Sequence, residues 1–107
     1  MRAIFIDATA RTVSEIDHTG KLKAMYQTLG CGLVDCISVG PTQDVWIDDE
    51  GEINGTEKGF LLAGRRFFGN ALLLDSNTRD DCTASTVELA TVKRIVDFFE
   101  LAPARTN

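Results

Sequence analysis

Met1-Arg2-Ala3-Ile4-Phe5-Ile6-Asp7 opens the chain as an extended segment that is apolar on both faces, Ile4 and Ile6 on one and Met1, Ala3 and Phe5 on the other. A strand of this kind suits cover on both sides, or cover on one side and a partner on the other. It reads as a central strand, and the rest of the chain is read for what surrounds it. The polar segment Ala8-Thr9-Ala10-Arg11 is short enough for a hairpin connection, and Thr12-Val13-Ser14-Glu15-Ile16 has the β-branched content of an antiparallel partner.

Leu22, Met25, Tyr26 and Leu29 fall at i, i+3, i+4 and i+7, which puts four apolar side chains on one helical face. Thr19 is placed to cap this helix, and Gly30 to end it in the left-handed conformation. Residues 33–39 follow as a strand broken by Gly40-Pro41, and Asp44-Val45-Trp46-Ile47-Asp48 is the next, closed by the turn Asp49-Glu50-Gly51. Residues 53–68 fit a loop with one short helical turn. Gly69-Asn70-Ala71-Leu72-Leu73-Leu74-Asp75 is a buried strand entered by a turn. Ser85-x-x-Glu88 has the form of a capping box opening a last helix, whose stripe is Val87, Leu89, Val92, Ile95, Val96 and Phe99. The expected class is α+β: a mainly antiparallel sheet of about five strands with two helices packed on one face, in the order ββαββ, irregular segment, βα. Residues 1–102 are expected to form a single domain, and 103–107 a short tail.

The whole chain is 107 residues with a net charge of -5, and its mean hydropathy of -0.02 is that of an ordinary globular domain. That composition excludes disorder, collagen and low complexity. No stretch approaches the length of a membrane-spanning helix, and the N-terminus reaches Asp7 too soon for a signal-peptide apolar region, so a cytoplasmic protein is expected. The acidic balance argues against direct nucleic-acid binding, which rewards clustered Lys and Arg. Six of the 16 acids fall at Asp44, Asp48, Asp49, Glu50, Glu52 and Glu57, so the excess is concentrated around one turn.

No catalytic residue, cofactor site or metal site is expected. Cys31, Cys36 and Cys82 have no metal or redox spacing, and burial as small hydrophobes is the better reading. His18 is the one base available to them and reads as a solvated helix-entry residue. The acidic turn fails as a calcium loop, because with Gly51 in sixth position the first ligand would be Trp46. The glycines form neither a dinucleotide nor a Walker phosphate loop, and no Ser lies in a nucleophile-elbow context. Arg65-Arg66 beside Phe67-Phe68 is the one basic-aromatic cluster, too small a footprint for nucleic acid and more simply explained by salt bridges to the acidic turn.

The opening seven residues, the helix over 22–30, the strand over 33–39, Val45-Trp46-Ile47-Asp48-Asp49-Glu50-Gly51, Phe68-Gly69-Asn70-Ala71-Leu72-Leu73 and a closing amphipathic helix together carry a resemblance over nearly the full chain. It resembles an uncharacterised family of small domains encoded by phages, plasmids and other mobile elements of bacteria. The resemblance implies a shared fold and a bacterial accessory role, and brings no catalytic residues. The family's polar segment with an Asn-Arg-Ala core is replaced here by Thr56-Glu57-Lys58-Gly59.

The leading functional expectation is a non-enzymatic module, monomer or homodimer, that binds an unidentified host or element-encoded protein and no membrane. Its candidate interaction surface is Trp46, Asp48, Asp49, Glu50, Glu52, Arg65, Arg66 and Phe67, since aromatic and Arg side chains dominate interface energies. Two alternatives stand beside it. One is an acidic DNA mimic that inhibits a host nucleic-acid enzyme; the other is a small-molecule binding or hydrolytic domain with a pocket joining residues such as His18, Asp7 and a cysteine.

Overall fold

The computed structural model describes residues 1–50, 57–77 and 81–101. The elements in chain order are β1 (Arg2–Asp7), β2 (Thr12–Asp17), α1 (Leu22–Leu29), β3 (Val34–Ser38), β4 (Gln43–Asp48), β5 (Lys58–Leu62), β6 (Arg65–Phe68), β7 (Ala71–Ser76), β8 (Cys82–Thr83), α2 (Leu89–Ile95) and β9 (Val96–Glu100). The class is α+β, as the patterning requires. The main sheet runs β2-β1-β7-β4-β3 with β8 added beside β7, and a second sheet runs β6-β5-β9. All pairings are antiparallel.

β7 occupies the middle of the main sheet, and its first five residues are all buried. On one face Ala71 and Leu73 join Ile4, Ile6, Val13 and Val45 against Phe60, Leu62, Phe67 and Val96 of the second sheet and Val92 of α2. On the other, Leu72 and Leu74 join Ala3 against Met25 of α1, with Trp46, Ile16, Leu29 and Val34 around them. The two helices therefore cover opposite faces of the main sheet, not one. The expected arrangement left the second sheet out, and it is this sheet that shares a face with α2.

Two segments account for that omission. Residues 58–68 form a hairpin, not a loop with a helical turn: Leu62 pairs with Arg65 across a two-residue turn, and both turn residues, Ala63 (φ 49) and Gly64 (φ 86), have positive φ. That is the backbone of a type I′ hairpin turn, whose usual signature is Asn-Gly or Asp-Gly. Ala in the first position hides it. The last helix ends at Ile95, and Val96-Asp97-Phe98-Phe99-Glu100 is a strand paired along β5. Its β-branched and aromatic side chains suit that role as well as they suit a helical stripe.

The helix starts also differ. Lys21 and Glu88 stand at the N-cap positions of α1 and α2, and neither makes a side-chain capping bond. Thr19 Oγ1 instead accepts from the Lys21 N–H at 3.2 Å. The capping box does not form: the helix starts after Glu88, so Ser85 stands three residues ahead of the N-cap, its buried hydroxyl without a partner among the described residues, and Arg2 binds the segment between. Its guanidinium donates to Ser85 O (2.8 Å) and Val87 O (2.7 Å), and Ser85 N donates to Arg2 O (2.8 Å). Gly30 does end α1 in the left-handed conformation, φ 67 and ψ 38.

In the second sheet, Phe60 and Phe67 stack at 5.3 Å on the buried side. On the outer side Phe99 lies over Gly59, where an added Cβ would stand 2.7 Å from the ring and 2.2 Å from Phe67 O. A side chain there has to push strand backbone aside. Gly59→Ala is expected to cost about 1–3 kcal/mol in urea denaturation, whereas Gly32→Ala, with nothing within 4 Å, changes stability by less than about 0.5 kcal/mol. Equal midpoints for the two variants would show that the close approach at Gly59 is not what holds the sheet.

Candidate functional site

β4 leaves the main sheet at Asp48, and β6 of the second sheet passes beneath it. Between them lies a cleft of about 260 Å³ lined by Ile37, Ile47, Asp48, Asp49, Arg66, Phe67 and Phe68. Four of the residues singled out in the sequence, Asp48, Asp49, Arg66 and Phe67, meet here. Asp49 is exposed and Asp48 half-buried; the Asp48 carboxylate accepts the Glu50 N–H at 2.9 Å, which folds the turn back on itself. Arg66 lies over the Phe99 ring at 5.9 Å, and Phe99 meets Phe68 edge to face at 5.5 Å. The cleft thus has Asp48 and Asp49 on one side, Arg66 and Phe68 on the other and Phe67 with Ile37 and Ile47 between them, while the Arg66 guanidinium itself rests over Phe99, beside the cleft.

The remaining candidates fall elsewhere. Trp46 is half-buried in the cluster under α1, and its indole N–H is buried with no partner, so it is not an exposed contact. Phe67 is 3% exposed and belongs to the core, which makes it the floor of the cleft and not a projecting anchor. Arg65 donates to Ser38 O at 3.2 Å. Among the described residues no ion pair joins Arg65 or Arg66 to the acidic turn; Arg65 bonds a backbone carbonyl and Arg66 lies over a ring instead. Glu50 is exposed, and Glu52 lies outside the described residues. Asp44 is buried and accepts from Ser38 Oγ at 3.1 Å, so it leaves the solvent-facing acids.

The pocket expected to join His18, Asp7 and a cysteine does not form. His18 N bonds Met1 O, while Asp7 is at the far end of β1, about 20 Å away at strand rise. His18 is buried, not solvated. Its Nδ1 accepts the Gly20 N–H (2.9 Å), leaving the ring proton on Nε2 for Thr28 Oγ1 (3.1 Å). Asp7 spends its carboxylate on the Thr9 and Ala10 N–H groups of the hairpin, both at 3.0 Å. The three thiols are free, and they are not the buried small hydrophobes expected: Cys36 is exposed and Cys31 and Cys82 are half-buried. Desolvation, then the Asp44 charge, pushes Cys36 up to about 12. The same two causes raise Cys82, and desolvation with Asp48 raises Cys31. Since the thiolate is the nucleophile, all three are poor ones near neutrality. Among the described residues no group of three or more His, Cys, Asp or Glu gathers to hold a metal ion, and no helix is long and apolar enough to cross a membrane.

β3 forms one edge of the main sheet. Asp49 N donates to Leu33 O and Val39 N to Gln43 O, so the odd-numbered residues turn their peptide groups toward β4, while Val34, Cys36 and Ser38 turn theirs outward. Two of these outward groups are occupied by charged side chains: Asp35 Oδ1 accepts the Cys36 N–H at 2.9 Å, and Arg65 bonds Ser38 O. Charged side chains on an edge are a known guard against strand pairing between molecules.

Residues 1–100 match a family described as a domain of unknown function. The chain belongs to the DUF3846 family. No match was found among curated proteins or among solved structures. The match to the DUF3846 family spans all the strands and both helices, and the cleft is assembled from three of those strands, β3, β4 and β6.

Two outcomes are expected. Replacing both Asp35 and Arg65 with Ala frees the β3 edge, so light scattering after gel filtration should give a higher mass than the parent chain; an unchanged mass would remove these side chains as edge guards. Asp44→Asn removes a charge that disfavours the Cys36 thiolate, lowering the thiol pKa. Alkylation of Cys36 by iodoacetamide near about pH 8 should accelerate while Cys31 stays at the parental rate. If Cys36 kept its rate, the Asp44 charge would not be what holds the thiol up.

Proposed function

We propose that this chain is a non-enzymatic interaction module, an accessory protein of phage or mobile-element context acting in the bacterial cytoplasm, and that it docks a host or element-encoded protein in the cleft between β4 and β6. The observation that carries this reading is the convergence of Asp48, Asp49 and Arg66 around a floor of Ile37, Ile47, Phe67 and Phe68. An apolar centre ringed by charges of both signs is the usual anatomy of a protein contact, where buried aromatics supply affinity and rim charges set orientation and partner choice. Arg66 supports it further. Its guanidinium makes no ion pair among the described residues and rests over Phe99 beside the cleft, so it is free to swing to a partner carboxylate. The non-enzymatic half of the reading draws on His18, committed at both ring nitrogens, and on thiols shifted toward the protonated form.

Charge reversal at the rim tests it without disturbing the core. A tagged chain is used to capture proteins from the bacterial host, alongside Asp49→Lys and Arg66→Glu. A partner retained by the parent chain is expected to fall about tenfold with either variant, equivalent to about 1.4 kcal/mol, while far-UV circular dichroism is unchanged. Retention of every captured protein at the parental level by both variants would place the contact away from the cleft and reject this reading.

A further inference from the structure

At the opposite edge of the main sheet from the cleft, beside β2, the tip of the β1–β2 hairpin stands over α2 and β9. A groove of about 380 Å³ lies there, lined by Arg11, Thr12, Val13, Lys93, Val96 and Phe98. The chain as a whole carries a net charge of -5, yet both ionisable side chains in this lining are cations. Val13 and Val96 are buried and Phe98 half-buried, so the floor is apolar with one aromatic face. Lys93 has no ion pair among the described residues, and Arg11 has one, to Glu100 at 3.8 Å with both side chains about half exposed. An exposed pair at that distance is weak and is readily exchanged for a better anion.

Arg11 is also held where its backbone is least comfortable. Its φ is 56, the left-handed region that Gly adopts freely and a side chain with a Cβ does not. The turn is closed by Asp7, whose carboxylate holds Thr9 and Ala10, so the strain falls on a residue whose own side chain the turn does not use. Ala63 holds the same conformation in the β5–β6 turn, so this is hairpin geometry; its consequence here is that the turn fixes where the Arg11 side chain leaves the hairpin.

We propose that this groove binds a phosphate monoester carried on a flat apolar body. The cations suit a doubly charged anion: once it displaces Glu100 from Arg11, Arg11 and Lys93 together supply two positive charges, which match the charge of about -1.5 to -2 on a monoester near neutrality. The Arg11 guanidinium takes two phosphate oxygens as a fork and Lys93 meets the third as a point charge. The apolar body lies on Phe98, Val13 and Val96, and its burial distinguishes the ester from free phosphate. The inference does not depend on the cleft between β4 and β6.

Phenyl phosphate, inorganic phosphate and benzyl alcohol are titrated separately into the ¹⁵N-labelled full chain. Phenyl phosphate is expected to shift the amides of Thr12, Val13, Val96 and Phe98 saturably, and at least about tenfold more tightly than either other probe. Lys93→Gln should weaken it about tenfold. Arg11→Gly should weaken it similarly while raising the melting temperature, because Gly relieves the strain; a purely structural arginine would show the second effect without the first. Equal affinity for inorganic phosphate, meaning an adventitious ion only, would overturn the proposal. So would shifts that do not saturate, or phenyl phosphate binding unchanged by Arg11→Gly and Lys93→Gln.

Discussion

The double-sided burial of β7 is the constraint on which the rest of the molecule depends. Leu72 and Leu74 are fully buried toward α1, and Ala71 and Leu73 are buried toward the second sheet. Each leucine contributes about 1.5–3 kcal/mol only if its face is kept from water. A chain of 107 residues must therefore divide its apolar side chains between two layers. One layer needs little: an eight-residue helix that buries Met25. The other takes the whole of β5, β6 and β9 together with α2, and Phe60 and Phe67 fill its centre.

Charged side chains are used mainly to hold backbone in place. Arg2 pairs with Glu15 at 3.0 Å and binds two carbonyls of the segment entering α2. Asp75, 5% exposed, takes the Thr86 hydroxyl at 2.6 Å, the Thr86 N–H at 3.3 Å and the Thr42 hydroxyl at 3.4 Å. A carboxylate so enclosed is tolerable because its oxygens are bonded, and it ties the ends of β7, β4 and the α2 approach to one point. Other charges face solvent with weak partners or none among the described residues: Asp49 and Arg66 at the cleft, Arg11 and Lys93 at the groove, and Lys21, Lys23, Arg94 and Asp97 away from both. What sets the cleft and the groove apart is that their uncommitted charges border apolar side chains.

Much of the main sheet is legible in the sequence because its signals are local. The β1–β2 hairpin, α1 with its Gly30 stop, β3, β4 and β7 each carry a period or a punctuating residue within a few positions. The second sheet is illegible for equally physical reasons. Ala63-Gly64 adopts a turn that Ala disfavours, and Val92, Ile95, Val96 and Phe99 satisfy a helical period although Val96 and Phe99 are strand residues. Only pairing with β5, more than 30 positions earlier in the chain, decides between the two readings. The candidate surface divides in the same way. Asp48 with Asp49 and Arg66 with Phe67 are conspicuous as neighbours, but nothing local says that the two pairs face each other across one cleft. Trp46 and Phe67 were legible as aromatic anchors, and burial reassigns them. The Arg11 and Lys93 groove left no local trace, since its residues come from three elements.

By itself the amino-acid sequence determined the α+β class, the positions of most main-sheet strands, the first helix and the absence of a familiar catalytic signature, because each rests on periodicity or chemistry within one short segment. Tertiary structure decided which face each helix covers, where the last helix becomes a strand, and which charges remain uncommitted. Those outcomes depend on pairings between distant segments, and a side chain is buried or exposed only by what the rest of the chain brings against it.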